Sequence, residues 1–233
     1  MAPPLYQTVI DSIIARIAAG DLLPGGMLPS ETQLALDTGV SQGTARKALM
    51  MLEQHGIVRR EQGRGTFVTA RTPEKSLFNF FRLRPKDGRV VSPVVTSERI
   101  LQRPATEAER EVLQGAPEQV TEIRRTRSLL DVPSVLETSV VSSDLFPGLE
   151  RRSPLPSALY VLYQQAYGCI ILHAEESMAA VLSTPDVIEA LQLPGPTPLL
   201  QVDRKARDIL GRTVEIRHSL YRTDELRYAI KLD

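Results

Sequence analysis

Residues 28–56 read LPSETQLALDTGVSQGTARKALMMLEQHG, and their punctuation is unusually clear. Ser30 has the side chain of a helix N-cap, and Gln33 stands three residues on in a capping-box arrangement. Gly39 stops that short helix by supplying the positive φ of a turn. Ser41 opens a second helix, which runs to about Gln54 and ends at Gly56. Ala45, Ala48, Leu49 and Leu52 repeat at helical spacing along its inward face. Two short helices joined through Gly39-Val40-Ser41 form a helix-turn-helix signature. The small Ala35 sits where the two must cross closely.

Upstream, Leu5, Val9, Ile10, Ile13, Ile14 and Ile17 predict an amphipathic helix over about 4–19, stopped by Gly20. The proline-rich run 22–29 excludes helix. Downstream, residues 57–68 hold two β-type runs around Gly63-Arg64-Gly65, which predicts a hairpin. In a helix-turn-helix the second helix enters the major groove by its N-terminal end. Ser41, Gln42, Thr44, Arg46 and Lys47 are therefore candidate DNA contacts. Arg64 and Gly65 form a thin tip suited to a narrow minor groove, the place of a wing.

Bulk charge is uninformative. The 233 residues carry 28 basic and 28 acidic groups, so any nucleic-acid binding must come from placement of charge. Residues 71–90 are locally basic, with Arg71, Lys75, Arg82, Arg84, Lys86 and Arg89 against Glu74 and Asp87. The composition, 42% hydrophobic with 14 glycines and 17 prolines, excludes disordered, collagenous and disulfide-scaffold classes. No apolar run is long enough for a membrane span, and the N-terminus has no secretory pattern, so a cytoplasmic location is expected. One cysteine, Cys169, fits a reducing compartment and a core position. His55, His173 and His218 are scattered and make no metal-ligand pattern; no cofactor is expected.

Thr72-Pro73 and flanking charges at 71–76 read as a linker between a head (1–70) and a second unit (77–233). In that second unit, alternating runs predict strands at 94–101, 120–130, 134–142, 170–182, 199–208, 213–222 and 226–232. Helical patterns fall at 106–114, 156–167 and 185–192. Neighbouring strands with few helices predict an antiparallel sheet in an α+β fold. Two segments echo each other: Ile123 to Ser139 and Val202 to Ser219 both read as hairpins with arginines on one strand and a glutamate on the next. Arg125 and Arg127 share one face of a strand. If that face is buried, they require a carboxylate or an anionic ligand; if it is exposed, they make surface cross-strand ion pairs.

Residues 4–68 resemble the winged-helix domain of GntR-type transcription regulators. The matching residues include Leu28-Pro29-Ser30-Glu31, Leu34-Ala35, Gly39-Val40-Ser41, Arg46-Lys47-Ala48-Leu49 and Gly63-Arg64-Gly65-Thr66-Phe67-Val68. Two positions depart from the family pattern, which has arginine where this chain has Thr32 and Gln42. Arginine pairs with guanine and glutamine with adenine, so the operator is expected to depart from the family's GT…AC half-sites. The remainder resembles the UTRA effector domain of the HutC-like branch, on Arg125-Thr126-Arg127, Pro133, Glu137, Tyr160, Val214-Glu215 and Tyr221-Arg222. That resemblance implies a chorismate-lyase-like α+β fold that binds a small molecule. It assigns Arg125 and Arg127 to an acidic group of the effector, with Glu137, Tyr160, Glu215 and Tyr221 at its polar remainder. Arg89 and Ser92 fall in the loop where relatives wrap a phosphate, and Ala158 replaces their serine.

The expectation is thus a homodimeric, ligand-responsive repressor that binds a two-fold double-stranded DNA operator and a small anionic effector, without catalytic residues. The competing reading makes the C-terminal domain a lyase-like enzyme acting on a small organic acid.

Overall fold

The computed structural model describes residues 4–70 and 81–230. The linker expected at 71–76 lies outside the described residues.

The head follows the punctuation of its sequence. Helix α1 (Leu5–Ala18) buries Val9, Ile10, Ile13 and Ile17. Helix α2 (Glu31–Thr38) is capped by Ser30, whose side chain accepts from the Gln33 N–H, and Gly39 closes it at φ 68°. The capping box is only half made, because the Gln33 amide donates to Asp37 at 2.6 Å instead of reaching back. Helix α3 (Gln42–Gln54) is capped by Ser41 and buries Ala45, Ala48, Leu49 and Leu52. Strands β1 (Val58–Glu61) and β2 (Gly65–Val68) pair antiparallel as the hairpin. The proline-rich stretch lies against that hairpin: Leu28 N–H donates to Thr66 and Val68 N–H to Gly26, each at 2.8 Å.

The second unit is built on a six-stranded, wholly antiparallel sheet. A short strand β3 (Leu83–Pro85) comes first, followed by β4 (Val94–Pro104). Helix α4 (Glu107–Val112) then leads to β5 (Gln119–Leu129) and β6 (Val132–Ser142). Helix α5 (Leu159–Tyr167) precedes β7 (Ile171–Leu182), and α6 (Pro185–Ala190) precedes β8 (Pro198–Asp208). Strand β9 (Thr213–Arg222) completes the sheet, in the order β4-β5-β6-β9-β8-β7, and β10 (Leu226–Tyr228) pairs with β3 outside it. Each expected strand and helix of this unit is present, with the run expected at 226–232 reduced to β10 (Leu226–Tyr228); its partner β3 was not expected, since so short a strand carries no legible alternation.

The two echoing segments are two hairpins, β5–β6 and β8–β9, joined side by side through β6 and β9. The first turns at Leu130 and Asp131, both left-handed at φ 51° and 62°, the geometry of a two-residue type I′ turn. The second turns beside Gly211, where the Asp208 carboxylate accepts from the Leu210 and Arg212 amides.

The head and the sheet unit share apolar packing. Ile170 and Ile209 belong to the same buried cluster as Ile13, Leu49 and Leu52, and Leu172 packs against it. The Gln164 amide donates to the Thr69 carbonyl at 3.1 Å. The rings of His55 and His173 meet edge to face at 6.4 Å.

Candidate functional site

Two sets of side chains stand out, one exposed on the head and one buried on the sheet. On the head, Thr32, Ser41, Gln42, Arg46 and Lys47 are exposed around the start of α3, and Thr44 is half-buried. The Ser41 hydroxyl is committed to the Thr44 N–H and hydroxyl, so it fixes the helix start before any ligand arrives. Arg46 is held by Glu31 at 3.0 Å. Arg60 joins the same carboxylate and also Glu53. These pairs are solvent-exposed and cheap to open, so they orient the cations rather than consume them. Lys47 lies 4.4 Å over the Tyr6 ring. At the hairpin tip, Arg64 is paired with Glu61 and lies 5.7 Å from the Phe67 ring centre. Gly65 is left-handed at φ 124°, and a Cβ there would stand 3.4 Å from the Met27 sulfur. Glycine therefore keeps the tip narrow next to Arg64.

On the sheet, one face of β5, β6, β9 and β8 carries a buried charge network. Arg125 stands opposite Glu98 of β4 and is bonded to it at 2.7 Å. Its Nη1 donates to the Pro156 carbonyl at 3.1 Å. Arg127 donates to Glu137 at 2.8 Å, to the Ser157 hydroxyl at 2.9 Å and to the Ser157 carbonyl at 3.0 Å. Arg217 sits between Glu215 at 2.9 Å and Glu137 at 3.7 Å. Tyr160 and Tyr163 of α5 both donate to Glu215, at 3.0 and 2.9 Å. Arg204 is paired with Glu176, which also accepts from the Tyr228 hydroxyl. The buried alternative for Arg125 and Arg127 is therefore the one realised.

The electrostatics follow from burial. Burial raises the Glu137 carboxyl, but Arg127 and Arg217 outweigh it and hold the group down at about 2. Burial and the neighbouring Glu215 push the Tyr160 hydroxyl up to about 12 and the Tyr163 hydroxyl well above its ordinary value. Both tyrosines are fixed as hydrogen-bond donors. Burial and the adjacent Arg127 lower Arg125, a cation short of negative charge even with Glu98 beside it.

The network unites Arg125, Arg127, Glu137, Tyr160 and Glu215, and Tyr221 is buried on the same face of β9 beside Val135 and Val202. It does not include Arg89 or Ser92. Both are exposed on the loop after β3, with Arg89 paired to Asp87 at 3.2 Å. Sequence reasoning missed Glu98, Ser157, Tyr163, Glu176, Arg204 and Arg217 as members. The echoing hairpins were the available signal for Arg204 and Arg217, and Ser157 adjoins Ala158, the position where relatives carry a serine. The clefts on the opposite face hold Arg124 and His218, already paired with Asp186 at 3.1 Å and Asp203 at 2.6 Å. Among the described residues there is no grouping of histidine, cysteine and carboxylates fit for a metal.

Residues 5–68 match the family described as bacterial regulatory proteins, gntR family, and residues 87–227 match the UTRA domain. The chain belongs to the GntR family. It is a transcription regulator of the branch that joins a DNA-binding head to a UTRA effector domain. Relatives include the mannosyl-D-glycerate transport/metabolism system repressor MngR of Escherichia coli, 27% identical over 97% of this chain and 95% of the relative. The HTH-type transcriptional repressor NagR of Bacillus subtilis is 26% identical over 99% of this chain and 95% of its own. Among solved structures, the ligand-binding domain of a GntR-family regulator from Bordetella bronchiseptica superposes with TM-score 0.56 at 30% identity. It covers 66% of this chain and 98% of that domain. The lyase-like reading has no support among these GntR and UTRA matches. Among the described residues, no helix of this regulator is long and apolar enough to cross a membrane.

Proposed function

We infer that this GntR regulator is a cytoplasmic, dimeric repressor whose affinity for a two-fold operator is set by a small anionic metabolite held on the buried face of the sheet. The head of this reading is residues 1–70, the linker 71–76 and the effector domain 77–233. One observation carries it. Adjacent residues of α5 face the two functions: Tyr163 donates to Glu215 in the charge network, and Gln164 donates to Thr69 of the head. A ligand that rearranges the network moves the helix that touches the head, and linkage requires that DNA and effector then oppose each other by the same factor.

The acidic nature of the effector rests on Arg125 and Arg127, two buried guanidiniums on one strand face whose mutual repulsion an anion relieves. Glu137, Tyr160, Glu215 and Tyr221 take its polar remainder, while Arg89 and Ser92 reach it only if their loop folds inward. On the head, Arg46, Lys47 and Arg64 supply phosphate or guanine contacts. Thr32, Ser41, Gln42, Thr44 and the Gly65 backbone supply neutral ones. A dimer follows from reading two half-sites by one two-fold axis.

Selection of bound sequences from a random duplex library at fixed salt tests this. The expected product is a two-fold site whose ends differ from GT…AC. Enrichment of no symmetric site would remove the operator reading.

A further inference from the structure

The echo between the two hairpins puts an arginine–carboxylate pair on each flank of the buried face. Glu98 and Arg125 form it across β4 and β5, and Glu176 and Arg204 across β7 and β8. The flanks are not equivalent. On the first, Arg125 and Arg127 stand two residues apart on one strand, and burial together with Arg127 lowers the Arg125 guanidinium. On the second, Arg217 stands directly opposite Arg204, but each has a carboxylate of its own: Glu176 for Arg204, and Glu215 at 2.9 Å for Arg217. Burial lowers both of these guanidiniums, and the acidic groups around them more than restore them. The middle of the face is therefore balanced in charge, and only its β5 side is short of negative charge.

Two polar atoms in that balanced middle are unmatched. Ser139 of β6 faces Arg217 of β9 across the pairing of the two strands. Ser139 is 1% exposed, and neither its hydroxyl nor the Nε of Arg217 has a partner among the described residues. A buried donor without a partner costs free energy that a bound acceptor offsets. The surroundings decide which acceptor. An ammonium group brought to this point meets the Arg217 guanidinium. A carboxylate meets Glu215 and also Glu137, which Arg127 and Arg217 hold ionised at about 2 against the effect of its burial. A hydroxyl or carbonyl oxygen accepts from both donors and meets neither repulsion.

We propose that Ser139 and Arg217 form a specificity subsite for an uncharged oxygen, so that the effector is an acid with a hydroxyl or carbonyl at its far end and neither an amine nor a second acid there. This rests on the anionic-effector reading above and adds the other end of the molecule. Arg125 stands opposite Glu137, and Ser139 is two residues further along β6. Such diagonal neighbours are ~7–8 Å apart, a span that a short carbon chain bridges. Arg217 is the selective element, because its charge is what stops Glu137 and Glu215 from receiving an amine.

Four probes test the subsite. Hexanoate, ω-hydroxyhexanoate, ω-aminohexanoate and adipate share a chain and one carboxylate, and differ at the far end as methyl, hydroxyl, ammonium and carboxylate. Calorimetric titration of the full chain should show ω-hydroxyhexanoate binding most tightly, ~10-fold above hexanoate, the effect of one hydrogen bond to a buried donor. Adipate and ω-aminohexanoate should bind more weakly than hexanoate, since each desolvates a second charge for no partner. Ser139→Ala removes a hydroxyl that has no protein partner, so its melting curve should match the native one while ω-hydroxyhexanoate falls to the level of hexanoate. Arg217→Met should make ω-aminohexanoate the tightest of the four; Ser139→Ala decides the matter even where Arg217→Met fails to fold. Equal binding of the four by native protein, or an affinity for ω-hydroxyhexanoate untouched by Ser139→Ala, overturns the subsite and leaves the anionic reading standing. Inorganic phosphate, which needs only Arg125 and Arg127, separates the two failures. Phosphate bound with no order among the four overturns the subsite alone; phosphate and all four unbound overturn the anionic-effector reading with it.

Discussion

Glu137 lies directly opposite Arg125 in the pairing of β5 with β6, yet its carboxylate is bonded to Arg127, one pleat along, at 2.8 Å. The diagonal frees Arg125 for Glu98 on the other side, and it draws Arg217 of β9 toward Glu137 at 3.7 Å. Four strands, β4, β5, β6 and β9, are thereby tied through two carboxylates. A buried ion pair costs desolvation that its attraction barely repays. Its retention here by three arginines is intelligible if the face exists to exchange a carboxylate partner for a ligand.

The depressed Glu137 carboxyl fixes the sign of one pH effect. Its folded value, about 2, lies below the ordinary carboxylate value of 4.5. Its contribution to stability is complete above pH ~4.5 and is lost as pH falls toward ~2, with a size on the order of 3 kcal/mol. Glu137→Gln should melt well below the native protein at pH 7. That gap should narrow progressively between pH 4.5 and 2. A gap independent of pH over this range would show that Glu137 stabilises by packing rather than by charge.

Removing one partner of the Arg127–Glu137 pair strands the other in a dry site, at a cost of ~3–5 kcal/mol. Arg127→Met and Glu137→Met are each expected to lose that much in urea unfolding. The double variant should lose less than either single one, since apolar groups replace both charges. It should still bind the operator, with the response to effector abolished. Additive losses would disprove the coupling.

Arg46 is exposed and held only by a surface pair with Glu31, so Arg46→Ala should leave the melting temperature within a few degrees of native. Operator affinity should fall by ~1–3 kcal/mol if Arg46 reads a base. Gln42→Arg is expected to shift the selected half-site toward guanine at one position. Gel-shift titrations on the native and guanine-substituted sites measure both effects; an unchanged preference would confine Gln42 to the backbone.

Burial, with Asp208 nearby, pushes the Cys169 thiol up to about 12. A thiol with so little thiolate at pH 8 is a poor nucleophile. Cys169 should react with a thiol-specific chromogenic reagent only as fast as the protein unfolds. Labelling of native protein within seconds would contradict the packing around Tyr163 and Ile171.

Most of the head and the sheet was legible because each element carries its own local signal. Ser30, Gly39 and Ser41 punctuate the helices, and the alternation in β5 and β9 marks strands. Arg125, Arg127, Glu137, Glu215 and Tyr160 were named through family resemblance, and Arg125-Thr126-Arg127 also through period-two spacing. Arg204, Glu176 and Glu98 were not, because their relation to that cluster is set by the strand order β4-β5-β6-β9-β8-β7, a non-local fact that no local window contains. The same holds for Ile170 and Ile209. In sequence they are ordinary apolar residues beside a strand start and a turn; only the fold places them in the core of the head.

That shared core makes a calorimetric prediction. Ile170 and Ile209 are each about nine-tenths or more buried, at 6% exposure, and complete burial of such a side chain is worth ~1.5–3 kcal/mol. Together with the Gln164–Thr69 hydrogen bond they couple the head to the sheet unit, so the native protein should unfold in one transition. Ile209→Asp places an unpaired carboxylate in the core shared by head and sheet unit, where the least costly escape is to part the two units and let it hydrate. Scanning calorimetry of that variant should resolve two transitions, with the head melting first because its small core has lost its cover. Operator binding should persist at temperatures below the first transition. A single transition at the native temperature would mean that the contact carries no coupling, and the path from Glu215 through Tyr163 and Gln164 to the head would fail with it.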